Sequence, residues 1–189
     1  MDQQKAFQRT LRQFARTLLF WLVLIVFMAW TLGLFSPSKR VVGCDAEKTS
    51  QHLRKKVFRS GKTIITGGHL QSNEYAFQGQ HSVKLTRDQP FGLQFVIPAL
   101  KGNERITISV WRFAPDQEAS PGVIVGNVKG QYWDDCSKIV EQKDGWERLE
   151  CTLDPPFSCR GKDLDIYCWN RGPYPVYFDE MRVIIDRLP

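Results

Sequence analysis

Ile106-Thr107-Ile108-Ser109-Val110-Trp111-Arg112-Phe113 alternates aliphatic with polar or aromatic side chains and stops at Ala114-Pro115-Asp116. Period-two alternation in a β-branched, aromatic stretch marks a half-buried strand, because successive side chains on extended backbone point to opposite faces. It puts Ile106, Ile108 and Val110 on one face and Thr107, Ser109, Trp111 and Phe113 on the other. Short runs of the same kind lie on both sides, at 82–86, 92–97, 122–128, 146–153, 164–169 and 175–185, each bounded by turn signals. No stretch after residue 40 sustains a helical period. The pattern predicts an all-β domain built as an antiparallel sandwich or barrel rather than from βαβ units.

The run at 164–169 repeats the logic of 106–113. Leu164, Ile166 and Cys168 share one face, and Asp165, Tyr167 and Trp169 the other. With the aliphatic faces inward, both strands present polar groups and an aromatic ring outward. Rings that stack on pyranose faces, beside groups that bond hydroxyls, make a sugar-binding sheet. Trp111, Tyr167 and Trp169 are therefore candidate stacking residues, with Ser109 and Asp165 as polar partners. Trp and Tyr equally fill the cores of small β domains, so the exposure of these rings decides between the two readings.

Upstream, residues 17–38 run without a charge through Leu18-Leu19-Phe20-Trp21-Leu22-Val23-Leu24-Ile25-Val26-Phe27. That length lets a helix cross the roughly 30 Å bilayer core at about 1.5 Å per residue. A cleaved signal has a shorter apolar region, of about 7–15 residues, and a small-x-small cleavage site that this run lacks. A lipoprotein anchored at Cys44 is the third reading, from Val41-Val42-Gly43-Cys44, although Lys39-Arg40 separates that cysteine from the apolar run. The expected organisation is a basic tail at 1–16, a transmembrane helix at 17–38, a membrane-proximal segment at 39–62 that holds a first strand, and a β-sandwich at 63–189, with 43 as the alternative start. Within the segment, 48–62 reads as a basic, irregular, solvated stretch.

Lys5, Arg9, Arg12 and Arg16 precede the span, but Lys39, Arg40, Lys48 and Arg54 follow it, so flanking charge alone does not orient the helix. All five cysteines follow the span, and none forms a C-x-x-C pair. That usage suits a cytoplasmic N-terminus and a periplasmic or extracellular domain. The net charge of +6 falls to +3 beyond residue 38, from 22 basic and 19 acidic residues. This is too little, and too scattered, for a nucleic-acid partner. The expected partners are the lipid bilayer and a glycan of the cell envelope, with an envelope protein bound by a structural or adaptor domain as the alternative.

Gly79-Gln80-His81-Ser82-Val83-Lys84-Leu85, Ile106–Trp111, Asp144-Gly145-Trp146-Glu147-Arg148-Leu149, Ile166-Tyr167-Cys168-Trp169-Asn170 and Val176-Tyr177-Phe178-Asp179-Glu180-Met181-Arg182-Val183 stand in this order. As a set they resemble the strands of bacterial carbohydrate-binding-module-like jelly rolls, the galactose-binding-like fold, over roughly 43–187. The resemblance implies a two-sheet jelly roll with a structural calcium where first and last strands meet. Its ligands would be Glu47 and Asp179, with Asp45 as a substitute. It also implies packing roles for Trp111, Trp146 and Trp169.

Nothing in the chain assembles an active site. His52, His69 and His81 have no nucleophile motif beside them, and no G-x-S-x-G, H-E-x-x-H or phosphate-cradling loop is present. The reading is non-enzymatic. Parity puts Cys151 with Leu149 and Leu153, and Cys168 with Leu164 and Ile166, facing the core. Cys136 and Cys159 are open to pairing with each other or with Cys151, and Cys44 is the expected odd cysteine.

Overall fold

The computed structural model describes residues 14, 16–28, 39–116 and 122–187. It divides into two compact units, Met1–Ser38 and Lys39–Pro189. In the first, residues 16–28 are helical, and large side chains such as Leu19, Phe20, Val23 and Phe27 are exposed. Among the described residues no helix is long and apolar enough to cross a membrane. The expected span also covers 29–38, which lie outside the described residues.

The second unit is a β-sandwich. Its strands are β1 (Lys39–Cys44), β2 (Thr49–His52), β3 (Lys55–Ser60), β4 (Thr63–Ile65), β5 (Gln71–Ser72), β6 (Ser82–Leu85), β7 (Phe91–Ile97), β8 (Glu104–Phe113), β9 (Gly122–Val128), β10 (Tyr132–Cys136), β11 (Ile139–Lys143), β12 (Trp146–Leu153), β13 (Leu164–Asn170) and β14 (Val176–Arg187). One sheet runs β11-β12-β8-β14-β6-β5, with β1 added to β14, and the other runs β10-β9-β13-β7. The pairs β6·β14, β7·β13, β8·β12 and β9·β10 are all antiparallel and nest one inside the next. That is a long hairpin rolled onto itself, first strand with last and so inward, which is the jelly-roll arrangement.

Local sequence dictates which face is buried. Ile106, Ile108 and Val110 of β8 meet Leu149, Cys151 and Leu153 of β12 and Leu164, Ile166 and Cys168 of β13 in one core, all at most 2% exposed. Cys136 and Cys151 form a disulfide with their Cα atoms 5.7 Å apart, joining β10 of one sheet to β12 of the other. Cys44, Cys159 and Cys168 are buried free thiols. Burial pushes the Cys44 thiol up to about 12, so it stays protonated. Cys44 ends β1, paired with Met181 of β14, and its side chain is packed in the core.

The stretch at 48–62 is also not irregular. β2, β3 and β4 form a three-stranded meander whose Val57, Phe58 and Ile65 are buried. Its first turn carries Leu53 at φ 46° and Arg54 at φ 64°. A two-residue hairpin loop needs positive φ at both positions to match the strand twist, and charge-rich flanks hid this loop from a pattern-based reading.

Candidate functional site

Outward-facing positions on the four-stranded sheet follow from register. Asp165, Tyr167 and Trp169 of β13 stand opposite Asn127, Val125 and Val123 of β9. Asn127 and Val125 in turn stand opposite Trp133 and Asp135 of β10, and Trp169 opposite Phe91 of β7. Four aromatic rings therefore share one face. The Phe91 ring centre lies 5.6 Å from Tyr167 and 5.8 Å from Trp169, and the Trp133 ring 6.4 Å and 6.3 Å from the same two. Val123 and Val125 point outward yet are only 2% and 0% exposed, because the rings cover them.

Phe91 and Trp133 are each 51% exposed, while Tyr167 and Trp169 are half-buried. Exposed rings of this number on one sheet are unusual for a small domain that only needs to be soluble. The polar groups at the edge are fixed. Trp133 Nε1–H donates to Asp135 Oδ2 at 3.2 Å, and Arg171 pairs with the same carboxylate. The Arg171 guanidinium rests 4.6 Å over the Trp169 ring, a cation–π contact that locks the ring plane. Burial, then the Asp165 charge, raises the Tyr167 phenol, which therefore keeps its proton and can both donate and accept. Asp165 itself is half-exposed at the end of the aromatic row.

Trp111 does not join this surface. It lies on the outer face of the other sheet, 8% exposed, with the Phe77 ring stacked on it at 3.9 Å. Trp111, Trp146 and Tyr177 form a second cluster, roofed by Phe77 and Phe113. Ser109 is half-exposed two residues away on the same face of β8, so the candidate set divides between two sheets. Phe91 and Trp133, the most exposed rings of the first face, were absent from the sequence candidates. Pro90 and Gly92 mask the start of β7, and Asp134-Asp135, residues that strands disfavour, keep 132–136 out of the strand-like runs. Parity of Trp133 with Asp135 was the available signal.

The segment that roofs the second cluster is held by two carboxylates. Backbone N–H groups of Phe77 (2.9 Å), Gln78 (3.2 Å) and Glu180 (2.7 Å) donate to Asp179, which is fully buried. Those of Gln80 (2.7 Å) and His81 (2.8 Å) donate to Glu47 Oε1, and His81 Nδ1 lies 3.1 Å from Glu47 Oε2. Asp45 Oδ1 accepts from the Glu47 N–H at 3.1 Å. Calcium requires carboxylate and carbonyl oxygens turned toward one point. Here the Asp179 and Glu47 oxygens face N–H donors, and among the described residues no three or more His, Cys, Asp or Glu gather as metal ligands. This donor set does not fit calcium.

No family model matches the chain, and no curated protein matches it. Among solved structures it is similar to the C-terminal family 22 carbohydrate binding module of Clostridium thermocellum Xyn10B, at 17% identity, 67% of this chain, 83% of that chain and a TM-score of 0.48. The CBM22-1 xylan-binding domain from Paenibacillus barcinonensis Xyn10C matches at 12% identity, 82% of this chain, 99% of that one and a TM-score of 0.48. CBM35 from Cellvibrio japonicus Abf62 matches at 12% identity, 80% and 99% coverage and a TM-score of 0.39. At these identities and TM-scores the likenesses carry no argument about site or ligand, and the jelly-roll assignment rests on strand order.

Proposed function

We propose that this chain is a membrane-anchored, non-catalytic glycan-binding module that works outside the cytoplasm. The observation that carries the reading is the face formed by Phe91, Trp133, Tyr167 and Trp169. Their rings lie 5.6–6.4 Å apart on a rigid sheet, with Asp135, Arg171 and Asp165 beside them. Sugar rings present C–H faces that pack on aromatic rings, and equatorial hydroxyls that reach charged groups at the edge. A row of rings on strands, rather than loops, is pre-organised, so little entropy is lost on binding. The uncharged run at 17–38 supports the tether, and the Cys136–Cys151 disulfide supports an oxidising compartment. The full chain, purified in mild detergent, is predicted to be retained on at least one polysaccharide or cell-wall preparation and to elute with soluble fragments of it. No retention on any glycan, together with stoichiometric crosslinking to one envelope protein, would instead support an adaptor role.

A further inference from the structure

The outer face of the seven-stranded sheet carries a groove of about 500 Å³ that the aromatic face does not use. Register sets its floor. Gly43, Arg182, Ser109 and Glu150 stand side by side across β1, β14, β8 and β12, and Arg148 lies beside Trp111. A β-bulge between Asp179 and Arg182 makes this arrangement. Tyr177 and Asp179 lie beneath the covering segment on the outer side. Unbroken alternation would then turn Met181 and Val183 outward. The bulge shifts parity by one, so Met181 and Val183 are 2% and 0% exposed and Arg182 projects into the groove. Glu180 takes up the shift at φ 51°, a left-handed conformation that strains an L-residue. Bulges that re-aim a side chain in this way concentrate at functional sites.

Three guanidinium groups line the groove, from Arg59, Arg148 and Arg182, against the carboxyls of Asp45 and Glu180, with Glu150 at the β12 end of the floor row and Glu141 beside Arg148. Arg148 Nε lies 3.0 Å from a Glu141 carboxylate oxygen without an aligned hydrogen bond, and Arg59 Nε–H donates to Ser50 Oγ at 3.0 Å, which holds the Arg59 head. Gly43 and Ser109 are small, leaving space on both sides of Arg182.

We propose that this groove is a second ligand site, taking a saccharide that bears an anionic substituent, either a carboxylate or a phosphate ester. Guanidinium matches both groups by bidentate hydrogen bonding, Asp45 and Glu180 accept from neighbouring hydroxyls, and Trp111 with Phe77 forms an apolar wall. The site lies on the opposite sheet from the aromatic face and does not depend on it.

Calorimetric titration of the full chain in detergent tests it, with an oligogalacturonate, a phosphorylated oligosaccharide and a neutral oligosaccharide of equal length. One of the anionic oligomers binds, more weakly at high salt, and which one identifies the substituent. Arg182→Glu, at an exposed position, lowers that affinity roughly tenfold or more, whereas Glu180→Gln raises it. Circular dichroism confirms that both variants fold. Binding of neither anion, equal binding of the neutral oligomer, or unchanged anion binding in Arg182→Glu overturns the proposal. Loss of neutral-glycan retention with anion binding intact would count only against the aromatic face.

Discussion

Asp179 concentrates the electrostatics of the domain at one residue. Burial, opposed by three N–H donors, pushes its carboxyl up to about 7 from an ordinary 3.8. The folded state therefore holds the proton more tightly than the unfolded chain. The stability from this group is complete below the unfolded value and is lost as pH rises through the folded one. Glu180, also raised, adds in the same sense, whereas Glu47 is lowered and acts only in more acidic solution. Between about pH 5 and pH 8 the melting temperature should fall, and Asp179→Asn should flatten that slope, as read by calorimetry. An equal slope in the variant would remove Asp179 as its source. Because the oxygens of Asp179 and Glu47 face N–H donors, a chelator should leave the melting temperature of the domain unchanged. A drop on chelation, restored by calcium, would show that the N–H latch gives way to a cation in solution.

At the scale of single elements, the β2–β3 hairpin places Leu53 and Arg54 in positive φ without glycine or asparagine. The double substitution Leu53→Asn with Arg54→Gly supplies residues that adopt this turn without strain. It should stabilise the domain by about 0.5–1 kcal/mol in urea unfolding. The disulfide between β10 and β12 closes a sequence separation of 15. Removing it by Cys136→Ser with Cys151→Ala should cost about 3 kcal/mol, and a near-neutral result would mean that the pair is reduced in the native protein. Strands with clean alternation, such as β8 and β13, were legible in the sequence, and so were their buried faces. Lys55-Lys56-Val57-Phe58-Arg59 was not, because charges on the solvent side of a small edge sheet outweigh its two buried apolar residues. Likewise the outward position of Trp111 was legible by parity. Its burial was not, since the covering Phe77 comes from a segment thirty-four residues earlier in the chain.

For the whole molecule, nested pairing of eight strands sets two outer faces with different chemistry. The four-stranded sheet shows exposed rings, and the seven-stranded sheet shows a roofed aromatic cluster beside a groove lined by arginines. Strands, rather than loops, hold both faces. A polymeric ligand that reached both faces of one molecule would gain from local concentration without any new contact. Everything proposed for the four-stranded sheet depends on its exposed rings being the surface that meets the glycan. The decisive experiment titrates a retained glycan into the full chain while following tryptophan fluorescence, in parallel with Trp133→Ala and Trp169→Ala. A fluorescence change on binding is expected, with an affinity loss of roughly tenfold in each variant, about 1.4 kcal/mol, and the fold intact. Full affinity in both variants would mean that the glycan binds elsewhere.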